Sequence, residues 1–249
     1  MEKNLLNKYV LDLLESLEQN FSAYTIHKKP KHIHQLRVDI KKLKAIFSFA
    51  KHIYKTKYNT IKLKPLFRNA GQIREIQINI RLLNSVHDPP EELISRLEKK
   101  ENILIKQFIK KRSQYLKLIK DFKKKTSLPE ILPHKKAIKE YFKSELKNAD
   151  GILEHIDRGG MHKFRKKLKK ILYIYNSLPK TIQKKIELNE VKINKQQKKL
   201  GNWHDTNSAI YFFSQEHFTA QTSKYIMKLV EKEKRQFNKL LISLTNIAK

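Results

Sequence analysis

A pattern that occurs twice limits what this chain can fold into. Residues 34–44 read HQLRVDIKKLK and residues 162–172 read HKFRKKLKKIL. His34 and His162, Arg37 and Arg165, Lys41 and Lys169, and Lys42 and Lys170 each lie 128 residues apart. Both copies have a helical period. At 100° per residue, His34, Arg37, Lys41 and Lys44 fall within about 80° of one another, on one helical stripe. Leu36, Ile40, Leu43 and Phe47 form the adjoining apolar stripe, and Phe164, Leu168, Ile171 and Tyr175 repeat it in phase. The basic stripe therefore borders a core and does not lie opposite it.

The rest of the chain reads as helix. Only 5 Gly and 7 Pro punctuate 249 residues, and 12 Phe and 10 Tyr are spread at helical spacing. The pattern predicts helices over 4–24, from beyond an interruption at Pro30 to about Tyr54, over 59–86 with a break at Gly71, and over 91–124. A second set is expected over 135–157, 161–178, 181–213 with a break near Gly201, and 214–247. Gly159-Gly160 is expected just ahead of the second motif helix. Residues 126–133 carry two prolines and read as the connection between halves. The expected fold is all-α: two four-helix bundles related by a pseudo-two-fold internal repeat. It forms one domain over 1–249, with repeat 1 at 1–126 and repeat 2 at 127–249. A unit of about 125 residues is too long for a solenoid repeat.

Charge narrows the function. Fifty-five Lys and Arg against 24 Asp and Glu give a formal charge of +31, which a polyanionic partner would relieve. Nucleic acid, an anionic membrane surface and polyphosphate all qualify. Around the motifs the imbalance is sharper: 158–170 holds seven cations and no acid, and 31–57 holds eight against Asp39 alone. Like charges at i, i+3 and i+4 destabilise a helix, so a merely solvated face normally intersperses acids. There is no cysteine, which removes disulfides and thiolate metal sites. No apolar run is long enough to span a membrane, and the N-terminus lacks signal-peptide features. A cytoplasmic protein is expected.

Catalysis finds little support. There is no Gly-rich phosphate loop, HExxH pair or GxSxG elbow. His32 and His34 point about 160° apart on a helix and cannot share a metal. Glu231-Lys232-Glu233-Lys234-Arg235 looks like the acidic–basic strand motif of triphosphate tunnel enzymes, but it sits in a helical context. Trp203 reads as a packing residue beside Gly201.

The repeated HxxRxxx-basic-basic pattern resembles the CHAD domain, the conserved-histidine α-helical family. The resemblance continues downstream. Ala70-Gly71-Gln72-Ile73-Arg74-Glu75 and Leu200-Gly201-Asn202-Trp203-His204-Asp205, 130 residues apart, are similar to its Leu-Gly-x-x-basic-acidic segment. Four matched segments in order cover most of the chain. Two departures stand out: His204 replaces the commoner Arg, and Leu172 stands where the first copy has Lys44.

The resemblance implies two motif helices facing each other about the pseudo-axis and a basic channel between the repeats. It also implies a non-enzymatic role in binding inorganic polyphosphate, without cofactor or metal. Charge alone would not choose that ligand over RNA, so a sequence-nonspecific nucleic-acid binder is the alternative. Sulfate, phosphate and nucleic acid are expected as non-specific partners, and polyphosphate granules as a site of accumulation. The expected phosphate-binding residues are His34, Arg37, Lys41, Lys44, Arg68 and Arg74 in the first half. In the second they are His162, Arg165, Lys166, Lys169, Lys198 and His204. Arginine offers a planar fork to phosphate oxygens, lysine a mobile point charge, and imidazolium a further donor.

Overall fold

Caps and prolines set the helix starts in the computed structural model, which describes residues 5–87, 89–129, 131–132, 134–154, 156–215 and 220–244. Among these residues every regular element is helical. The chain divides into two compact units, residues 1–133 with Ser177–Pro179, and the remainder from His134 onward.

The first unit holds α1 (Leu5–His27), α2 (Pro30–Tyr54), a 3-10 turn (Ile61–Leu63), α3 (Lys64–Leu83), α4 (Glu91–Lys110) and α5 (Arg112–Lys124). Pro30 opens α2, where a missing N–H costs nothing. Pro65 does the same for α3, which therefore begins five residues later than the period suggests. The single helix expected over 91–124 is interrupted at Lys111. Helix α1 packs on α2 and α5, and α3 on α2 and α4. Phe21, Tyr24, Phe108 and Tyr115 form its aromatic centre, with ring centroids 5.4–6.1 Å apart. Part of the expected connection packs here as well. The Leu128 N–H donates to Asn7 Oδ1 at 3.0 Å, and the Tyr54 hydroxyl donates to the Ile131 carbonyl at 3.1 Å.

The second unit holds α6 (Lys135–Leu153), α7 (Arg158–Tyr175), α8 (Lys180–Gln183), α9 (Glu190–Phe213) and α10 (Ala220–Ser243). Asp157 caps α7 by accepting the Gly160 N–H, so Gly159 and Gly160 lie inside its first turn, not ahead of it. The stretch expected as one helix from Thr181 splits into α8 and α9, whose cap is Asn189 accepting from the Lys192 N–H at 2.9 Å. Helix α7 packs against α6 and α9, and α9 against α10.

Neither expected glycine break occurs: α3 runs through Gly71 and α9 through Gly201. One interior glycine costs about 1 kcal/mol relative to alanine, too little to end a helix held by packing.

Asp39, the lone acid of the first motif helix, is fully buried and faces α1. It accepts from Ser16 Oγ at 2.9 Å and from Gln35 Nε2 at 2.7 Å. Burial pushes its carboxyl up, and these hydrogen bonds with nearby Lys42 only partly offset that. The folded state therefore binds a proton at Asp39 more readily than the unfolded chain. Its ionisation costs stability as pH rises from the usual carboxylate range toward neutrality. Asp39→Asn keeps an acceptor and an amide that Ser16 can pair with. It is expected to unfold at higher urea than wild type at pH 7, the advantage shrinking toward pH 4. Asp39→Leu, which strands both donors, should lose about 1–3 kcal/mol.

Candidate functional site

The motif arginine of each half is desolvated against the helix bearing the second repeated segment. In the first unit, Arg37 Nη1 donates to the Phe67 carbonyl on α3 at 2.7 Å, and its Cζ lies 4.3 Å from the centroid of the Phe67 ring. A helical carbonyl can accept this second bond with its spare lone pair. The guanidinium occupies the space a side chain at Gly71 would need: a Cβ there would lie 2.5 Å from Nη1. Burial pulls the Arg37 guanidinium below its usual range. Glu75 draws it back up, and Arg74 pushes it further down. Arg37, Arg74 and Glu75 are thus electrostatic neighbours. His34, Lys41 and Lys44 line α2 as exposed side chains, and Arg74 is half-buried on α3.

Arg68 faces differently. It lines a polar cleft of about 360 Å³ with Lys64, Asn69, Gln72, Lys111 and Gln114.

The second unit keeps the positions and changes the contacts. Gln197, at the place corresponding to Phe67, donates from Nε2 to the Arg165 carbonyl at 2.8 Å. Above Gly201 nothing lies within 4 Å of a Cβ position. Burial lowers Arg165, and Asp205 of α9 opposes the shift. Lys169 is lowered by burial and by Arg165, again against Asp205. One carboxylate therefore serves two cations. His162 and His204 lie side by side, ring centroids 4.9 Å apart and planes inclined at 41°. Burial lowers His162, and Lys166 and Arg165 lower it further. Lys166 and Lys198 are exposed.

Not every motif cation belongs to this cluster. Lys167 and Lys170 turn to α6, where Glu145 takes them at 3.0 and 3.3 Å. Helix α9 is fixed from behind. Trp203 Nε1 donates to Glu233 Oε1 at 2.7 Å, and Arg158 grips both carboxylate oxygens at 2.9 Å. Burial would raise Glu233, but the bonds from Arg158 and Trp203 outweigh it and hold the carboxylate below its usual range. Trp203 is therefore an anchor as well as a packing residue, and the acid of the 231–235 segment is internal to a helix.

Sequence reasoning missed Phe67, Gln197, Glu145 and Glu233. The first two could have been found, since each lies one helical turn before its glycine and they share the 130-residue offset. Nothing local marks the other two.

A model of the CHAD domain family matches residues 8–214. No protein among those curated for function is similar in sequence. The chain shares its fold with the crystal structure of the CHAD domain from the plant Ricinus communis. That match has a TM-score of 0.70 at 13% identity and covers 97% of this chain and 92% of the other. PptA from Streptomyces chartreusis is similar at a TM-score of 0.59 and 10% identity, covering 96% of each chain.

The two glycines should respond oppositely to a methyl group. Gly201→Ala meets open space and is expected to gain about 0.5–1 kcal/mol of helix stability. Gly71→Ala must displace Arg37 from the Phe67 carbonyl, and should gain nothing or lose stability. Paired urea titrations of the two variants measure the difference.

Proposed function

The chain belongs to the CHAD domain family, and from that premise we propose that it captures inorganic polyphosphate without transforming it. Each half contributes a basic track: His34, Arg37, Lys41 and Lys44 with Arg74, and His162, Arg165, Lys166 and Lys169 with His204. The observation that carries this reading is the partly desolvated arginine at the centre of each track, framed by further cations and only one carboxylate, Glu75 or Asp205. A desolvated cation interacts more strongly with an arriving anion than one in bulk water does. A linear phosphate chain, one charge per short repeat, can be followed by cations on successive helical turns. Lys198 adds exposed charge on α9, and Arg68 adds it from the separate cleft on α3.

Capture then works by displacement of counterions condensed on the polyanion, so affinity should fall steeply with salt. The proposed role needs no cofactor or metal. Other polyanions, sulfate, phosphate and nucleic acid among them, would compete through charge alone.

A sequence-nonspecific nucleic-acid binder is the second reading. Base stacking needs accessible rings. Phe67, on the first track, already carries Arg37 on its face. Tyr211, 71% exposed on α9 two turns beyond His204, is the aromatic such a binder would use.

Competition binding separates the two. Labelled long-chain polyphosphate is displaced by polyphosphate or by RNA of equal charge at two salt concentrations. The double variant Lys41→Glu, Lys166→Glu alters two exposed side chains and should leave the circular dichroism melt unchanged. It is expected to bind at least about tenfold more weakly, with a salt slope shallower by about 1–2. RNA competing as well as polyphosphate, with Tyr211→Ala weakening both, would hand the site to nucleic acid.

A further inference from the structure

The interruption at Lys111 builds a second basic feature in the first unit. It ends α4 and starts α5, and the first turn of α5 then shares a cleft with the start of α3. Each helix supplies one wall. Lys64, Arg68 and Gln72 follow one another at four-residue spacing along α3, on one stripe beside Pro65 and Asn69. Lys111, Gln114 and Tyr115 line the other side from α5. Asn69 Nδ2 donates to the Tyr115 hydroxyl at 2.6 Å and ties the walls together at the floor. No residue of either motif helix lines this cleft.

The lining holds three cations and no acid. Lys64 and Arg68 repel each other at i, i+4. Among the described residues, none of Lys64, Arg68 and Lys111 makes an ion pair. Elsewhere on α5 a lysine is answered: Lys123 pairs with Glu15 and Glu18 of α1. The floor carries a spare donor as well. Tyr115 is only 2% exposed and its hydroxyl oxygen accepts from Asn69, so its own O–H hydrogen has no acceptor among the described residues. Lys111 caps α5 without a side-chain hydrogen bond, and the N–H groups of that turn add to the positive potential.

We propose that the cleft between α3 and α5 binds a compact molecule carrying two phosphate groups, at a site separate from the motif tracks. This goes beyond polyphosphate capture and does not depend on it. The volume of about 360 Å³ lies in the range of small-organic-ligand sites and exceeds what one inorganic phosphate fills. Cations stand on both walls, Lys64 and Arg68 on one and Lys111 on the other, so each wall can hold one phosphate group. Arg68 offers a fork to phosphate oxygens and the lysines offer mobile charges. Between them the amides of Asn69, Gln72 and Gln114 both donate and accept, which suits the hydroxyls of a sugar or other polyol linking the phosphates. Tyr115 is the one aromatic in the lining and is buried, so a nucleobase would have no face to stack on.

Lysine footprinting of the full chain tests the site. Acetylation rates of individual lysines are read by mass spectrometry with fructose 1,6-bisphosphate, sulfate or long-chain polyphosphate added at equal ionic strength. Lys64 and Lys111 are expected to slow about fivefold or more once the bisphosphate is well above its Kd. Lys120, exposed on α5 outside the cleft, should keep its rate. Arg68→Gln alters an exposed side chain, should leave the circular dichroism melt unchanged, and is expected to raise the concentration for half-protection about tenfold. The Lys41→Glu, Lys166→Glu variant weakens the tracks and should be protected by the bisphosphate as wild type is. Loss of protection in that variant would place the ligand on the tracks and overturn the proposal. Sulfate protecting as well as the bisphosphate would mean an adventitious ion only, and equal slowing of Lys120 would mean diffuse charge; either overturns it. Protection by long-chain polyphosphate alone would also overturn it, and would assign the cleft to capture.

Discussion

A guanidinium taken partly out of water has to be held, and the way each half holds its motif arginine organises the surrounding helices. In the first half the holding is tight. Arg37 is fixed by a backbone carbonyl, an aromatic face and the absence of a side chain at Gly71. That fit requires α3 to approach α2 closely at one register, which places Arg74 and Glu75 beside the same guanidinium. In the second half the arginine's own carbonyl is held by Gln197 and its charge is balanced by Asp205. The register of α9 is secured instead from its far side, through Trp203, Glu233 and Arg158. Two routes thus lead to one outcome: a cation near the core boundary with the second segment's acid, Glu75 or Asp205, acting on it.

The few acids are as informative as the many bases. With a formal charge of +31, an unpaired carboxylate near the motif stripe would cancel part of its positive charge. Asp39 is turned inward to Ser16 and Gln35, Glu145 holds Lys167 and Lys170 on the α6 side, and Glu233 is spent behind α9. Among the described residues, Glu75 and Asp205 are the carboxylates that act on the motif arginines. Each follows the basic residue of its segment directly. Burial of Asp39 is itself unfavourable for its charged form. Its place between α1 and α2 therefore reflects local hydrogen bonding, not optimised stability.

Much of this was legible in the residues. The phase between basic and apolar stripes placed both motif helices at a core boundary, because helical period is a local property that packing rarely overrides. The 128- and 130-residue offsets identified the equivalent segments of the two halves before any contact was known. What escaped was non-local. Glycine normally signals a break, yet Gly71 and Gly201 lie inside helices; the cost of one glycine is small, and only the partner helix reveals what the missing Cβ at Gly71 is for. The destination of a carboxylate is equally invisible in one dimension. Asp39 read as a blemish on the basic stripe and is a buried tie to α1. Glu233 read as part of a false enzymatic motif and is the anchor of Trp203.

Repetition of the sequence pattern does not make the halves equivalent. Spacing fixes which face a side chain occupies, and that face is kept: Arg37 and Arg165 both meet the helix that carries the glycine segment. The chemistry on that face is set by single residues that the period does not constrain. Phe67 against Gln197 decides whether the arginine is stacked or its backbone is bonded. Arg74 against His204 decides whether a guanidinium or an imidazole stands before the acid. Lys44 against Leu172 removes a cation from the second stripe, and Lys166 against Val38 supplies one a turn and a half away. A duplicated scaffold can therefore keep its geometry by period and packing while the residues of its two basic stripes diverge.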